Sequence, residues 1–230
     1  MTESQAGFMP DLSLISLDAF KHDLRTGRLL PSRRPLLDRI DEHFAALERA
    51  GIHDLAAAQS ALGSAGRLKA LAAKTGLSED YLKLLRREIN SVLPTPVVFR
   101  DVPNMPDELL VRLDDIGIAD TAALFPHVRD PARRKTFAVE SGLPDEDVLW
   151  LAKLVDVSRI KWTGPKLARL IVDTEFDTVE KLANAEPAAA LAAFKRAKAE
   201  NKAYDGPLGI DDIESWIGQI IRRMPKVVAF

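Results

Sequence analysis

The sequence contains no cysteine. Disulfide bonds, thiol nucleophiles and cysteine-based zinc sites are therefore excluded, and the composition suits a reducing compartment, which predicts a cytoplasmic protein. No apolar run approaches the roughly 18 residues of a membrane span, and the N-terminus lacks the basic start and apolar run of a signal peptide. We therefore expect no membrane association.

Aromatic residues and net charge are also scarce. Aromatic side chains make up 6% of the chain, which argues against a platform on which single-stranded bases stack. The 32 basic residues are balanced by 34 acidic ones, for a net charge of -2. A strongly basic nucleic-acid coat is excluded by this balance, although a local basic patch is not.

Motifs of catalysis and metal binding are missing as well. The four histidines show no i, i+4 pair and no HExxH motif. The chain also contains no P-loop, no GxGxxG and no GxSxG elbow. We therefore expect no catalytic residue, no metal site, no cofactor and no enzymatic activity.

The residues that are present have a helical rhythm over most of the 230 positions. Leu37, Ile40, Phe44 and Leu47 recur at spacings of three or four, as on the apolar face of a helix. The only short β-like run is VVF at 97–99, which lies between two prolines. The pattern predicts an all-α protein of short helices.

Helix ends are marked by capping residues. Glycines suited to left-handed C-caps end four apolar patterns, at Gly51, Gly76, Gly117 and Gly142. Polar residues occupy expected N-cap positions at Ser16, Ser78, Asp130 and Asp177. Prolines suited to a first helical turn are Pro131, Pro165 and Pro187.

The sequence also repeats itself. DEHFAALERAGIHDLAA, from Asp41, aligns without a gap with DELLVRLDDIGIADTAA, from Asp107, at an offset of 66 residues. The alignment continues through GRLKALAAKTGLSEDYLKLL and ARRKTFAVESGLPDEDVLWL. A third, partial copy is present in SRIKWTGPKLARLIVDTEFDTVEKLANAEP. The match predicts tandem copies of one multi-helix unit.

Prolines divide the chain between these copies. SVLPTPVVFRDVP contains three of them and predicts a boundary. The predicted segments are an N-terminal arm and helix at 1–35, a first repeat at 36–94, a second at 105–156, and a third, partial hairpin repeat with C-terminal helix and tail at 157–230. We expect Val227, Val228 and Phe230 of the tail to dock on the body or on another chain.

The helix, Gly-Ile and polar pair of the first two copies, replaced by EFDTVEKL in the third, resemble helix-hairpin-helix domains of DNA repair and recombination proteins. A closer resemblance is to a bacterial family of helix-hairpin-helix-like proteins, domain of unknown function number four-three-three-two. The residues that carry it are GRLKALAAKTGLSEDYL, LAKLVDVSRIKWTGPKLARLI, TVEKLANAEP and IDDIESWIGQIIRRMPKVVAF. Together they cover most of residues 36–230. The resemblance implies a fold and no established activity.

The third hairpin is the best candidate for binding nucleic acid. Such hairpins have a turn of approximately Gly, apolar residue, Gly, and they direct the free N–H groups of the next helix at a phosphate. Here Trp162 replaces the first glycine, and the second remains. The residues that would hold the phosphate are Lys161, Thr163, Gly164, Lys166 and Arg169.

The alternative interpretation is that the hairpins are structural joints and that Trp162 fills the core, as we also expect of Trp150 and Trp216. In the second copy the turn is Asn104-Met105-Pro106, in which the asparagine can adopt a left-handed conformation. Acidic residues come after that turn and would repel phosphate. In the first copy, RIDEHF has no glycine and is also acidic.

Basic residues cluster elsewhere, interleaved with acids as on solvated helix faces. These clusters are Arg86/Arg87, Arg133/Arg134/Lys135, Lys195/Arg196/Lys198 and Arg222/Arg223/Lys226. TGRLLPSRRP, with Arg28, Arg33 and Arg34 beside Arg25, is a second candidate anion site.

Two functions remain. We expect a non-catalytic helical scaffold or adaptor that binds a protein partner through helix-hairpin-helix-like units. The alternative is a nucleic-acid-associated protein that contacts the phosphate backbone through the third hairpin. The sequence leaves open the partner, the pathway and the oligomeric state.

Overall fold

A computed structural model describes residues 7–27 and 29–230. These residues fold into α-helices joined by turns and short 3-10 segments, and they contain no β-strand. The all-α prediction is confirmed. The β-like run at 97–99 forms one isolated backbone bridge, between Val98 and Asp120, before a 3-10 helix begins at Phe99. Across the same residues, no helix is both long and apolar enough to cross a bilayer.

The chain divides into two compact units, and the first comprises Pro10–Leu93. Its helices are α1 (Leu17–Thr26), α2 (Ile40–Arg49), α3 (Leu55–Leu62), α4 (Ala65–Thr75) and α5 (Glu79–Asn90). Helix α3 packs against α4 and α5, and α1 packs against α2. The core of this unit is apolar and is formed around Phe44, Leu47 and Leu82, all fully buried.

The second unit contains the described residues 7–9 together with 94–230. Its helices are α6 (Asp107–Asp115), α7 (Thr121–Val128), α8 (Pro131–Ser141), α9 (Asp145–Ser158), α10 (Pro165–Val172), α11 (Val179–Ala183), α12 (Pro187–Asn201) and α13 (Ile210–Ser215). Helix α9 is central, because it packs against α7, α8 and α10. All residues from Leu154 to the end of α9 are buried, and the turn that carries the predicted phosphate site comes directly after it.

Helices α6 to α9 have nearly the bounds of α2 to α5, displaced by 66 residues. At that displacement α7 coincides with α3, and α8 coincides with α4. The N-caps also correspond. Asp54 has φ -141° and ψ 170°, Asp120 has φ -146° and ψ 171°, and each carboxylate accepts a hydrogen bond from the backbone N–H three residues later. Each such cap stabilises its helix by about 1 kcal/mol.

Most predicted helix starts are confirmed. Ser16, Ser78 and Asp130 are side-chain N-caps, and the three predicted prolines occupy first-turn positions of α8, α10 and α12. The prediction for Asp177 is wrong, since the N-cap of α11 is Thr178, whose side chain accepts from the Lys181 N–H. Asp177 instead pairs with Lys153 at 2.7 Å and is buried.

The predicted glycine stops are confirmed by their backbone conformation. All four have the left-handed φ that L-residues other than glycine adopt with strain, with values of 87°, 73°, 73° and 68° at Gly51, Gly76, Gly117 and Gly142. At Gly76 the backbone N–H also donates to the Ala72 carbonyl and closes the last turn of α4.

The C-terminal tail docks on the second unit, as expected, although not through all three apolar residues. Val228 is buried, and the N–H of Ala229 donates to the Arg129 carbonyl at 2.8 Å. Arg134 donates to the Ala229 carbonyl at 2.7 Å. Phe230 remains exposed, with the guanidinium carbon of Arg134 at 5.3 Å from its ring centroid.

Candidate functional site

The turn at 162–164 joins the buried end of α9 to α10. Trp162 has a left-handed φ of 69°, and Asn104, before α6, has the same conformation with a φ of 54°. A residue with a Cβ loses about 1–2 kcal/mol in this region, which is why a glycine was expected there. The N–H of Thr163 donates to the Ile160 carbonyl at 3.0 Å and closes the turn. Gly164 then serves as the N-cap of α10.

The interpretation that Trp162 fills the core is wrong. Its side chain is 55% exposed, and the Nζ of Lys161 lies 4.6 Å from its ring centroid. The left-handed backbone sets the indole at the surface instead of in the interior. Trp150 and Trp216 are half-buried and pack against the core of the unit, which agrees more closely with the expectation for them.

Thr163 lies in the interior of the unit. It is buried, and its hydroxyl has no hydrogen-bond partner among the described residues. A buried hydroxyl without a partner costs about 1–3 kcal/mol. Gly164 differs, because a Cβ placed on it would meet no atom within 4 Å. The backbone at the start of α10 is therefore open to an approaching group.

Arg169 forms hydrogen bonds within its own unit. Its Nε donates to Asp173 at 2.8 Å, and its Nη1 donates to the backbone carbonyls of Asn104 and Pro103, at 3.0 and 3.3 Å. The guanidinium carbon also lies 5.3 Å from the ring centroid of Trp150. This cation therefore fastens the turn before α6 to α10.

Lys166 lies at the surface and pairs with Asp205 at 3.1 Å, with both side chains exposed. A hydrogen bond from Lys166 lowers the pKa of the Asp205 carboxyl. Exposed pairs of this kind contribute little to stability, so Lys166 can exchange its partner. Of the five predicted phosphate ligands, Lys166 and Gly164 are accessible, whereas Thr163 and Arg169 face intramolecular surroundings.

Two cations of the second candidate anion site are paired with acids, whereas Arg34 is exposed. Arg25 pairs with Asp41, and the Nε of Arg33 lies 3.3 Å from the buried carboxylate of Glu88. Arg28 lies outside the described residues. A charged cavity of about 410 Å³ adjoins Arg25, but Asp41 and Glu42 line it as well.

A buried ion pair at the C-terminal end of α9 was not predicted. Asp156 and Arg159 are both buried, with Oδ1 and Nη1 3.2 Å apart. The other carboxylate oxygen accepts from the Val179 N–H at 2.8 Å, and Arg159 Nη2 donates to the Pro225 carbonyl at 3.2 Å. Burial raises the pKa of Asp156 to about 6, against the lowering effects of Val179 and Arg159. The pair ties α9 to α11 and to the C-terminal segment.

An apolar cavity beside α6 was also missed. It has a volume of about 260 Å³, and we call it the α6 groove; its lining residues are Val98, Phe99, Arg100, Leu110, Leu113, Asp114, Ile118 and Ala119. Leu113 and Ile118 are buried, whereas Val98 is exposed. Two further apolar side chains on or beside α6, Val111 and Ile116, are exposed. In DELLVRLDDIGIAD these two apolar residues lie off the apolar stripe of the helix. This departure from the stripe was the signal in the sequence that could have indicated exposed apolar surface.

Residues 7–27 and 29–230, which the structure describes, contain no group of three or more histidines or carboxylates placed to bind a metal ion.

The model of one protein family, described as Domain of unknown function (DUF4332), matches residues 103–221. No curated protein and no solved structure matches the chain.

Proposed function

The chain belongs to the family described as Domain of unknown function (DUF4332), and from this premise we propose that it is a non-catalytic adaptor that binds a protein partner through helix-hairpin-helix-like units. The observation that carries the proposal is the apolar surface at α6. Val98, which lines the α6 groove, is 40% exposed, and Val111 and Ile116, on or directly after α6, are 57% and 43% exposed. Contiguous exposed apolar surface is typical of protein interaction sites.

The helix-hairpin-helix-like character of the units is part of this proposal. Left-handed residues other than glycine precede α2, α6 and α10, namely Arg39, Asn104 and Trp162. From Asn104 to Trp162 the displacement is 58 residues, and the same displacement relates the first residues of α6 and α10 and those of α7 and α11. These correspondences support a common turn in the second and third units, whereas in the first unit Arg39 lies directly before α2 and corresponds to Met105. A cytoplasmic location remains a prediction from the sequence.

The engaged state of Arg169 supports the adaptor over nucleic-acid binding. A side chain that binds phosphate needs free hydrogen-bond donors, whereas the Nε and Nη1 of Arg169 donate to groups of their own unit. Asp107 and Glu108, both exposed, come after the related turn before α6 and would repel a phosphate backbone.

The adaptor proposal can be tested by reconstitution. Proteins cross-linked to the tagged chain in its host cell would be purified and recombined with it, and the mixture analysed by sedimentation velocity. We expect a complex of defined stoichiometry that persists after nuclease treatment. A chain that sediments alone with every purified candidate would contradict the adaptor proposal.

A nucleic-acid interface at the third turn is the second candidate. It is favoured by the open backbone at Gly164 and by the accessible Lys166, because free N–H groups at a helix start bind anions. Fluorescence anisotropy with labelled single- and double-stranded DNA at about 50 and 200 mM salt would test it, since phosphate-driven binding falls steeply over that range.

The matched control for this measurement is a second exposed lysine. Lys166→Glu should abolish salt-sensitive binding if the third turn holds the phosphate, whereas Lys195→Glu, on α12, should have a smaller effect with the same change of charge. Equal effects of the two variants would indicate nonspecific attraction. Absence of binding at the lower salt concentration would remove this candidate.

A further inference from the structure

The α6 groove lies in a framework that both units share. In the second unit, the N–H of Phe99 donates to the Ala119 carbonyl and the N–H of Thr121 donates to the Val97 carbonyl, both at 3.0 Å. In the first unit, the N–H of Leu17 donates to the His53 carbonyl at 2.8 Å, and that of Leu55 to the Ile15 carbonyl at 3.0 Å. Each pair of bonds flanks an antiparallel bridge, Val98 with Asp120 and Ser16 with Asp54.

The two units differ in the segment that comes after the bridge. After Ser16 the chain continues into α1, which packs on α2. After Val98 it forms only the 3-10 segment Phe99–Asp101 and soon enters α6. The second unit therefore has no counterpart of α1 between its bridge and its α6 helix.

In the first unit, α1 covers the apolar face that corresponds to the groove. Its Phe20 and Leu24 are buried, and the ring centroids of Phe20 and Phe44 lie 6.4 Å apart. Phe44 is fully buried, whereas Leu110, at the corresponding position of α6, is only half-buried. The groove is thus an apolar surface that a helix covers in one unit and that is open in the other.

The acidic residues in the first turns of α2 and α6 also differ between the two units. Lys21 and Arg25 of α1 pair with Asp41 in the first turn of α2. The corresponding residue of α6 is Asp107, which is exposed and is adjacent to the exposed Glu108. Within the described part of the chain, neither of these two acids forms an ion pair, so the uncovered face also presents unmatched negative charge.

We propose that the α6 groove binds an amphipathic helix of a protein partner, with a large apolar residue at position i, leucine at i+4, and Lys or Arg at i+1 and i+5. This is the pattern FKHDLR of α1, from Phe20 to Arg25. The apolar pair enters the groove and covers Leu110, and the cations pair with Asp107, the counterpart of Asp41. Helices that place apolar residues at i and i+4 in a groove are a recurrent mode of peptide recognition.

The occupant is a helix of another protein and not α1 of a second copy. In every copy the apolar face of α1 is already buried on its own unit, with Phe20 only 5% exposed. Releasing it would expose that core. The inference rests on the proposed adaptor function and specifies the chemistry of the partner segment.

The probe is a fluorescein-labelled peptide with the sequence of residues 16–27, SLDAFKHDLRTG. A hydrocarbon staple on its polar face would hold the helix, because isolated helices of this length are marginal in water. Anisotropy titrations would use the full chain. We expect saturable binding that Val98→Glu and Leu110→Glu, which change lining residues of the groove, each weaken at least about tenfold, as charged substitutions at an interface centre do.

Matched controls locate the site. Val139→Glu, on α8, changes a side chain that is 85% exposed and outside the groove, and it should leave binding unchanged. Asp107→Lys should weaken binding, and a peptide with glutamates at the positions of Lys21 and Arg25 should restore it. Circular dichroism of each variant would verify that the fold persists.

The outcomes separate this inference from the proposed function. Binding that is absent up to millimolar peptide, or equal for Val98→Glu and Val139→Glu, overturns the groove assignment. If the reconstituted partner complex persists in Val98→Glu, the adaptor function stands and only the site is wrong. If the peptide binds as expected while no partner complex forms, the groove recognises this helix chemistry and the adaptor proposal needs another basis.

Discussion

Arg169 donates to the backbone carbonyl of Asn104 at 3.0 Å and so joins α10 to the turn before α6, 65 residues earlier in the chain. The sequence suggested that this cation would bind phosphate, because it lies one turn into a helix behind an open glycine. In the structure it instead stabilises the second unit. A loss of stability on replacing Arg169 would distinguish these two roles.

Replacing Arg169 with alanine should lower the free energy of unfolding of the second unit by about 3 kcal/mol, because charge-assisted hydrogen bonds to Asp173 and to two carbonyls are lost. Urea unfolding followed by tryptophan fluorescence would measure it, since all three tryptophans lie in that unit. Lys166→Ala, which removes an exposed pair, should cost less than about 1 kcal/mol. Equal losses for both variants would contradict the structural role of Arg169.

Replacing Trp162 tests the left-handed turn. Trp162→Gly and Trp162→Ala remove the same exposed ring, but only glycine adopts a φ of 69° without strain. We therefore expect the glycine variant to be more stable than the alanine variant by about 1 kcal/mol. Thermal or urea unfolding of the two proteins provides the comparison, and an alanine variant of equal or greater stability would be inconsistent with this backbone conformation.

The Asp156 carboxyl predicts a pH dependence of the second unit. Its pKa is about 6 in the folded chain, against 3.8 for an exposed aspartate, so the folded state holds the proton more tightly. The stability that this group contributes is present at low pH and declines as the pH rises from about 4 to about 6. A pKa difference of about two between the folded and unfolded states corresponds to about 3 kcal/mol of unfolding free energy.

Asp156→Asn isolates that effect, because the amide does not titrate. The difference in unfolding free energy between the parent chain and this variant, from urea titrations at several pH values, should shift in favour of the variant as the pH rises from about 4 to about 6. Asp147→Asn, near the start of the same helix, is a control with the same chemical change. A difference that does not vary with pH would show that Asp156 ionises normally.

His43 predicts the opposite slope in the first unit. Burial, assisted by Arg39, lowers the pKa of its imidazole below 6.5, and its Nδ1 has no partner among the described residues. The unfolded chain then binds a proton more readily, so this contribution to stability is lost as the pH falls below 6.5. A two-dimensional NMR titration of the imidazole should give a pKa under 6.5, and a value above it would refute the prediction.

Helix ends were predictable because capping is a local interaction. Ser78 and Gly76 act within a few residues of their own position, and the structure uses both as expected. The helix start at α11 is the exception. Asp177 and Thr178 are adjacent and both can cap a helix, and the choice between them depends on Lys153, which takes the aspartate in an ion pair. That lysine is distant in sequence and near only after folding.

The candidate site was less predictable. The stretch 161–169 was located correctly as a turn before a helix. The exposure of Trp162 contradicts the expectation that a tryptophan is buried. The contacts of Arg169 within its own unit were not indicated by its residue type. Side-chain type sets a preference for burial, whereas the backbone conformation and the neighbours decide it. The α6 groove was missed for the same reason, because it depends on the absence of a helix over α6.

The sequence by itself determined the class of the fold, most helix starts and stops, and the family, since these depend on apolar periodicity, caps and a pattern extended along the chain. Only the tertiary structure decided which polar groups are engaged inside the molecule and which apolar groups are left outside. Thr163 and Asp156 are buried, Arg169 is half-buried and hydrogen-bonded within its unit, and Val111 and Ile116 are exposed. The reason is that burial is a property of the packed chain, in which contacts between distant segments determine what remains available to a partner.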